Sequence, residues 1–400
     1  MQITPIKHPQ NLYDIDFLNL DHAKKVRAFH QSFPMYKPTP LANLHNLAKK
    51  IGINNFLVKD ESYRFGLNAF KVLGGSFAIG NYIAQKLQMN ISDLPYAKMI
   101  SPEIKQKLGE ITFITATDGN HGRGVAWTAN QLQQKAIVYM PKGSSLERLN
   151  NIKAENAIAS ITELNYDDAV RLANKNAKRH GWVMVQDTSW EGYQDIPRWI
   201  IQGYETMALE AYLQMQKLGK KPTHIFIQAG VGALAGAVTG FFANAYPGEA
   251  KPIITVVEPN EADCIFRTAK ANDGKLHFVK GDMKTMMAGL ACGEPCDIGW
   301  QVLNSYADFA IACSDKISAK GMRVLGAPLK GDPRVISGES GAVTSGLVVE
   351  LLTKAKYEPI RQTLKLDENS TVLCFSTEGD TDKENYLNIV WDGKKSTYEK

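Results

Sequence analysis

Ile225-Phe226-Ile227-Gln228-Ala229-Gly230-Val231-Gly232-Ala233-Leu234-Ala235-Gly236 reads as a strand, a glycine loop and the start of a buried helix. Aromatic and β-branched residues favour the strand, while Gly230 and Gly232 break any helix begun there. The uncharged run from Ile225 to Tyr246 is long enough to span a bilayer, and Gly232, Gly236 and Gly240 repeat at a helix-dimer spacing. Gln228, Thr239 and Asn244 interrupt it and leucine is scarce, so the membrane reading is set aside. A loop of this kind turns backbone N–H groups and the positive end of the following helix toward an anion, and a monophosphate fits. Gly230, Val231, Gly232, Ala233 and Leu234 are therefore a candidate anion cradle, with a purely structural turn as the competing reading. The glycine spacing departs from the dinucleotide fingerprint, and Glu258, the one acidic residue near the end of the next strand, is followed at once by Pro259.

The same strand-then-helix grammar recurs outward from this stretch. Ile111-Thr112-Phe113-Ile114-Thr115 reads as a strand that ends at Asp118-Gly119-Asn120-His121-Gly122 and runs into a helix through Val125 to Ala129. Ala136 to Met140, Trp182 to Val185 before Gln186-Asp187, and Ile253 to Val257 before Glu258 are further strands. The fold class predicted is α/β, in two lobes, each an open, mostly parallel sheet flanked by helices. Ligands in such sheets gather at the carboxyl ends of the strands, which places Asp118, Asn120, Asp187, Gly230, Gly232 and Glu258 where a site would form. No low-complexity linker divides the chain. Residues 89–198 are expected to form a small domain inserted into a large one made of residues 1–88 and 199–400.

Lys71 stands in Phe65-Gly66-Leu67-Asn68-Ala69-Phe70-Lys71-Val72-Leu73-Gly74-Gly75, after apolar residues and just before a glycine pair. Lysine is almost never fully buried unless paired, so this one is either a snorkelling surface residue or an amine kept partly dry for chemistry. Burial favours the neutral amine, which can attach covalently to a carbonyl. A carbonyl-binding lysine together with a phosphate cradle describes a pyridoxal phosphate enzyme. Near the C-terminus, Ser376-Thr377-Glu378-Gly379-Asp380 follows the strand Thr371-Val372-Leu373, and its hydroxyls are candidates to meet a ring nitrogen.

Composition bounds the partners. The 400 residues, 44% hydrophobic and 22% charged, suffice for a substantial core, and the net charge of +5 is dispersed, without the clustered footprint of a nucleic-acid binder. The five cysteines, Cys264, Cys292, Cys296, Cys313 and Cys374, form no disulfide-scaffold pattern, although a bridge from Cys264 to Cys292 or Cys296 stays open. Cys292 and Cys296 lack the second pair a metal knuckle needs, so no metal is expected. The N-terminus has no secretory pattern, and a cytoplasmic protein with neither membrane nor nucleic-acid partner is expected.

Asn68-Ala69-Phe70-Lys71, Thr117-Asp118-Gly119-Asn120-His121-Gly122, the glycine loop, Val257-Glu258-Pro259 and Ser376-Thr377-Glu378-Gly379-Asp380-Thr381 appear in the order found in fold-type II pyridoxal phosphate enzymes. Over nearly its whole length the chain resembles this tryptophan synthase β-like group. Phe65 to Lys71 and Asp187-Thr188-Ser189-Trp190-Glu191-Gly192-Tyr193 make it more similar to the diaminopropionate ammonia-lyase branch. The resemblance implies pyridoxal 5'-phosphate as cofactor and Lys71 as its covalent anchor. It implies Asn120 beside the phenolic oxygen, the glycine loop around the phosphate, and Ser376 or Thr377 at an unprotonated ring nitrogen. It also implies a homodimer acting on a small amino acid, with loss of ammonia from D- and L-2,3-diaminopropionate to give pyruvate and two ammonia. Serine and threonine dehydratases usually carry Ser where this chain has Asp118. A carboxylate there suits a cationic β-amine and suggests two bases, Lys71 for the L-substrate and Asp118 for the D-substrate. Asp187 is a second candidate partner of the β-ammonium, with a turn-capping role as the alternative, and His121 reads as a structural turn residue. The rival activities are a serine or threonine dehydratase, or another β-eliminating or β-replacing enzyme of the same fold.

Overall fold

The computed structural model describes residues 1–117 and 119–396. In chain order its strands are β1 (Gln2–Pro5), β2 (Leu41–Asn43), β3 (Asn55–Asp60), β4 (Thr112–Ala116), β5 (Lys135–Met140) and β6 (Ile158–Ile161). They continue with β7 (Val183–Met184), β8 (His224–Gln228), β9 (Ile253–Pro259), β10 (Phe309–Cys313) and β11 (Thr371–Ser376). Seven form one sheet in the order β1-β10-β9-β8-β11-β3-β2, and four form a second in the order β6-β5-β4-β7. The inner strands of the large sheet run parallel, and only the edge pairs β1/β10 and β2/β3 are antiparallel. Every pairing in the small sheet is parallel.

The central strands are buried along their whole length, as parallel strands covered on both faces must be. Alternate residues serve opposite cores. Ile225, Ile227, Leu373 and Phe375 join the cluster that extends into the small sheet, whereas Phe226, Val372 and Cys374 join a second one with Val343, Leu347 and Met322. Edge strand β6 differs, with Ile158 and Ser160 on the surface and Ala159 inside.

Three helices set the position of Lys71: α1 (Val72–Lys86), α2 (Asn120–Gln131) and α3 (Asp195–Gly203). A Cβ on Gly124 of α2 would sit 2.8 Å from Val72 Cα, and one on Gly203 of α3 would sit 2.4 Å from the Leu73 carbonyl oxygen. Only glycine permits both helices to close on the first turn of α1. The glycine loop then leads into α4 (Ala233–Ala245), which is buried over most of its length.

The structure moves some of the sequence boundaries. β7 keeps only Val183 and Met184 of the Trp182–Val185 run, because β4 is its sole neighbour and pairs with two of its residues. β9 extends through Pro259, where it pairs with Cys313. All five cysteines are buried and none is in a disulfide. Among the described residues no helix is long and apolar enough to cross a membrane.

Candidate active site

Lys71 is the residue immediately before α1, and its loop is tied to the segment after β11. The Phe70 amide donates to the Thr377 carbonyl at 3.0 Å, and the Gly379 amide donates to the Asn68 carbonyl at 3.0 Å. Asn68 takes a positive φ of 59° in this turn. The carboxyl end of β11 and the amino end of α1 are thereby fixed side by side. They open on a small cavity.

Lys71, Asn120, Asp187, Thr377 and all five residues from Gly230 to Leu234 line this cavity together. Lys71 is partly dry and is paired. Lys71 Nζ donates to Asp187 Oδ2, and the pair is largely shielded, Asp187 being 2% and Lys71 17% exposed. Burial by itself would raise the Asp187 carboxyl. The charges of Lys71 and His121 and the hydrogen bond from Lys71 outweigh it and hold Asp187 below the usual carboxylate range. Tyr166 Oη donates to Asp187 Oδ1 at 3.3 Å and accepts from Gln186 Nε2 at 2.8 Å, while Gln186 Oε1 accepts from Thr115 Oγ1 at 2.8 Å. Asp187 is thus oriented by a chain of hydrogen bonds from β4.

The turn after β4 is held from within. Thr117 Oγ1 accepts from the Gly119 and Gly122 amides at 2.9 and 3.0 Å, and His121 Nε2 donates to the Val185 carbonyl at 2.8 Å. His121 also lines the cavity. Asp118 lies outside the described residues.

The glycine loop fits a phosphate. Gly232 has φ +96° and precedes α4, whose N-terminus has no side-chain cap. The Val231 carbonyl is taken by the Cys296 amide and the Gly232 carbonyl by the Gly236 amide. Among the described residues no group accepts from the amides of Val231, Gly232, Ala233 or Leu234, residues that line the cavity at the positive end of a 13-residue helix. Gln228 Oε1, also at the cavity, is buried without a hydrogen-bond partner. A phosphorylated ring anchored on Lys71 would satisfy the amides that the fold leaves open.

Two of the predicted cofactor contacts are not in the cavity. Glu258 instead caps a short helix, α5 (Cys264–Ala271), accepting from the Ile265 amide at 2.9 Å and the Phe266 amide at 2.6 Å. Burial pushes its carboxyl up to about 8, only partly offset by those amides. Ser376 is fully buried and donates to Ser337 Oγ at 2.8 Å, so of the two candidate hydroxyls it is Thr377 that meets the cavity. Ser376 is the last residue of β11, and Thr377 follows it. Sequence reasoning passed over Tyr166, Cys292, Ser340 and Glu378, which also line the cavity. Only Glu378 carried a signal, as an acidic residue inside the hydroxyl motif.

Residues 33–376 match the family described as pyridoxal-phosphate dependent enzyme. The diaminopropionate ammonia-lyase of Salmonella typhimurium is 50% identical over 384 residues, covering 96% of this chain and 95% of that protein. The chain belongs to the pyridoxal-phosphate dependent enzymes, in their diaminopropionate ammonia-lyase branch. Within that family the solved holo diaminopropionate ammonia lyase of Escherichia coli superposes with a TM-score of 0.92 at 44% identity, covering 99% of this chain and 97% of that one. A second structure of the E. coli enzyme, in complex with an aminoacrylate-PLP azomethine reaction intermediate, gives 0.90 at 45% identity, covering 99% and 98%. Fold-type II architecture and pyridoxal phosphate dependence follow from membership of this family.

Proposed function

We propose that this pyridoxal phosphate-dependent enzyme eliminates ammonia from 2,3-diaminopropionate, D and L, to yield pyruvate and two ammonia. The observation that carries the reading is the Lys71–Asp187 ion pair, a cation and a buried carboxylate in one cavity with an open phosphate cradle. Near-complete coverage of a diaminopropionate ammonia-lyase at 50% identity supports it over the dehydratase alternative. When bound, the cofactor supplies an electron-withdrawing ring that makes the substrate α-proton removable. Lys71 would anchor it, the amides of Val231 to Leu234 would hold the phosphate, and Asn120 and Thr377 would contact the ring. Lys71 would take the α-proton of the L-substrate, and Asp118 that of the D-substrate.

Asp187 has a particular part in this scheme. With Lys71 anchoring the cofactor, Asp187 would lose its cationic partner, and its burial would make the uncompensated charge costly. The β-ammonium of diaminopropionate is the cation that replaces Lys71, which selects a diamine over serine or threonine. The enamine released hydrolyses to pyruvate and the second ammonia.

Pyruvate and ammonia release from D- and L-diaminopropionate, compared with serine and threonine, tests the reading; turnover of the hydroxy amino acids alone would overturn it. Lys71→Ala should abolish both the yellow colour and pyruvate formation. Asp118→Asn should depress kcat/KM for the D-substrate more than for the L-substrate, and equal losses would refute the division of labour. We further infer a cytoplasmic homodimer, on the family likeness and on five unbridged cysteines, with sedimentation velocity as the check on the dimer. A small domain of residues 89–198 within a large one of 1–88 and 199–400 is supported by the four-stranded sheet, which lies wholly between Thr112 and Met184.

A further inference from the structure

The turn of residues 117–122 supplies Thr117, Asn120 and His121 to the cavity, and in sequence it includes Asp118. Thr117 fixes the shape of this turn from inside, through the Gly119 and Gly122 amides. Its placement over the cavity depends on what packs against it from outside. Arg148, in the first turn of the helix α6 (Leu146–Lys153), does so. The Cβ position of Gly119 is 3.0 Å from Arg148 Cδ and 3.3 Å from both its Cβ and its Cγ, so the arginine stem lies directly along the turn. Ser145 caps α6, its Oγ accepting from the Arg148 amide at 3.3 Å, which fixes where that stem starts.

The guanidinium of Arg148 reaches across a cleft lined by residues from 141–168 on one side and from 282–385 on the other. Tyr166 belongs to this cleft and to the active cavity alike. Across it, Arg148 Nη2 is 3.6 Å from Glu339 Oε2, and the two side chains are only 11% and 5% exposed. Glu339 is itself held firmly. Its Oε1 accepts from Asn385 Nδ2 at 2.5 Å, and its carbonyl accepts from Ser318 Oγ. The next residue, Ser340, lines the active cavity and accepts from the Gly289 amide at 3.1 Å. One side chain thus packs its apolar stem on the turn and pairs its charged head with a fixed point on the opposite wall. Neutralising either partner leaves a shielded charge uncompensated and frees the stem.

Resting on the two-base reading of the reaction, we propose that Arg148, braced by Glu339, is a positioning residue that holds the 117–122 turn over the cavity and so governs how well the enzyme handles the D-substrate. The base assigned to the D-substrate belongs to this turn, whereas Lys71 belongs to a loop tied to the segment after β11. Releasing the brace displaces the first and leaves the second in place. A misplacement of about 1 Å costs on the order of a hundredfold in rate, so a partly released turn loses about tenfold. The loss falls on one enantiomer.

The test pairs kcat/KM for D- and L-diaminopropionate with hydrogen exchange of residues 117–122, both on holoenzyme. Arg148→Ala and Glu339→Gln should each lower the D-value about tenfold and the L-value less than about twofold, and should speed exchange in the turn. The double variant should be no worse than either single one, because the two residues act as a unit. Arg148→Lys, which keeps stem and charge, should restore most of the D-activity. Glu147→Gln is the control: Glu147 Oε2 bonds α6 to the Lys383 amide at 3.0 Å, and its loss should leave the D-to-L ratio unchanged. Equal losses on both enantiomers with exchange at the wild-type rate would mark a merely structural pair and overturn the proposal. Should Arg148→Ala fail to fold, Glu339→Gln, which keeps the shape of the side chain, decides by the same two readouts. Asp118→Asn separates the two layers of the argument. If it is selective for the D-substrate and Arg148→Ala is not, the brace alone fails; if it is not selective, the division of labour fails, and exchange in the turn then decides the brace by itself.

Discussion

Gly232→Ala measures directly how the phosphate cradle is held. Gly232 has φ +96° and ψ −4°, a left-handed conformation that costs a residue with a Cβ about 1 to 2 kcal/mol. The new methyl would lie 3.2 Å from Ile265 Cδ1, the far end of a flexible side chain, so sterics add little to the backbone strain. Alanine also narrows the unfolded ensemble, which returns about 0.5 kcal/mol and leaves a net loss of about 1 kcal/mol. That loss must appear somewhere in the cycle linking unfolded, apo and holo protein. If the cradle keeps its shape without cofactor, the apo protein is destabilised by the full amount in a denaturant melt and cofactor affinity is unchanged. If the apo loop relaxes, apo stability is normal and affinity falls about fivefold in an absorbance titration. The two losses should sum to about 1 kcal/mol in either case. Gly219→Ala is the control, since Gly219 has φ +64° with open space around its Cβ position, outside the cavity. It should lower stability with no change in cofactor affinity. A Gly232→Ala protein with wild-type stability and wild-type affinity would refute the argument that the open amides depend on a left-handed glycine.

Two further outcomes concern charge. Asp187→Asn should destabilise the apo protein by about 2 kcal/mol near neutral pH, through loss of a shielded, charge-assisted contact with Lys71, and should raise KM for diaminopropionate; an unchanged KM would count against its role in binding the β-ammonium. Because the folded Asp187 carboxyl titrates below its unfolded value of about 3.8, its contribution is complete above that pH and is lost as pH falls toward the folded value. Acid melts of wild type and variant should therefore converge at low pH. Glu258 has the opposite sign: its folded carboxyl sits near 8, so stability declines as pH rises from about 4.5 toward 8. Glu258→Gln should flatten that decline, and an unaltered stability profile would show that burial is not what raises the group.

Periodicity and strand-end polarity made most of the scaffold legible. The runs at Ile225, Ile253 and Thr371 become the parallel strands β8, β9 and β11, because a stretch buried on both faces reads as uninterrupted apolar sequence. The glycine loop, Lys71, Asn120 and Asp187 were visible because a tight turn, an out-of-place cation and polar residues at strand ends each break the local pattern, and the cavity holds them all. β1, β2, β3, β6 and β10 escaped notice; β6, four residues with alternating exposure, resembles a loop.

The sequence by itself determined which chemistry-bearing residues exist and at which strand ends they emerge, since that depends on neighbours along the chain. Only the tertiary structure decided which of them meet. It took Glu258 to a helix cap and Ser376 to a buried partner, because side chains alternate across a strand and an unsatisfied helix terminus captures any carboxylate within reach. It brought Asp187 to Lys71, residues more than a hundred positions apart. Contacts of that kind follow from how helices and sheets close on one another, and no local pattern encodes the distance between two strands that meet only after the core is packed.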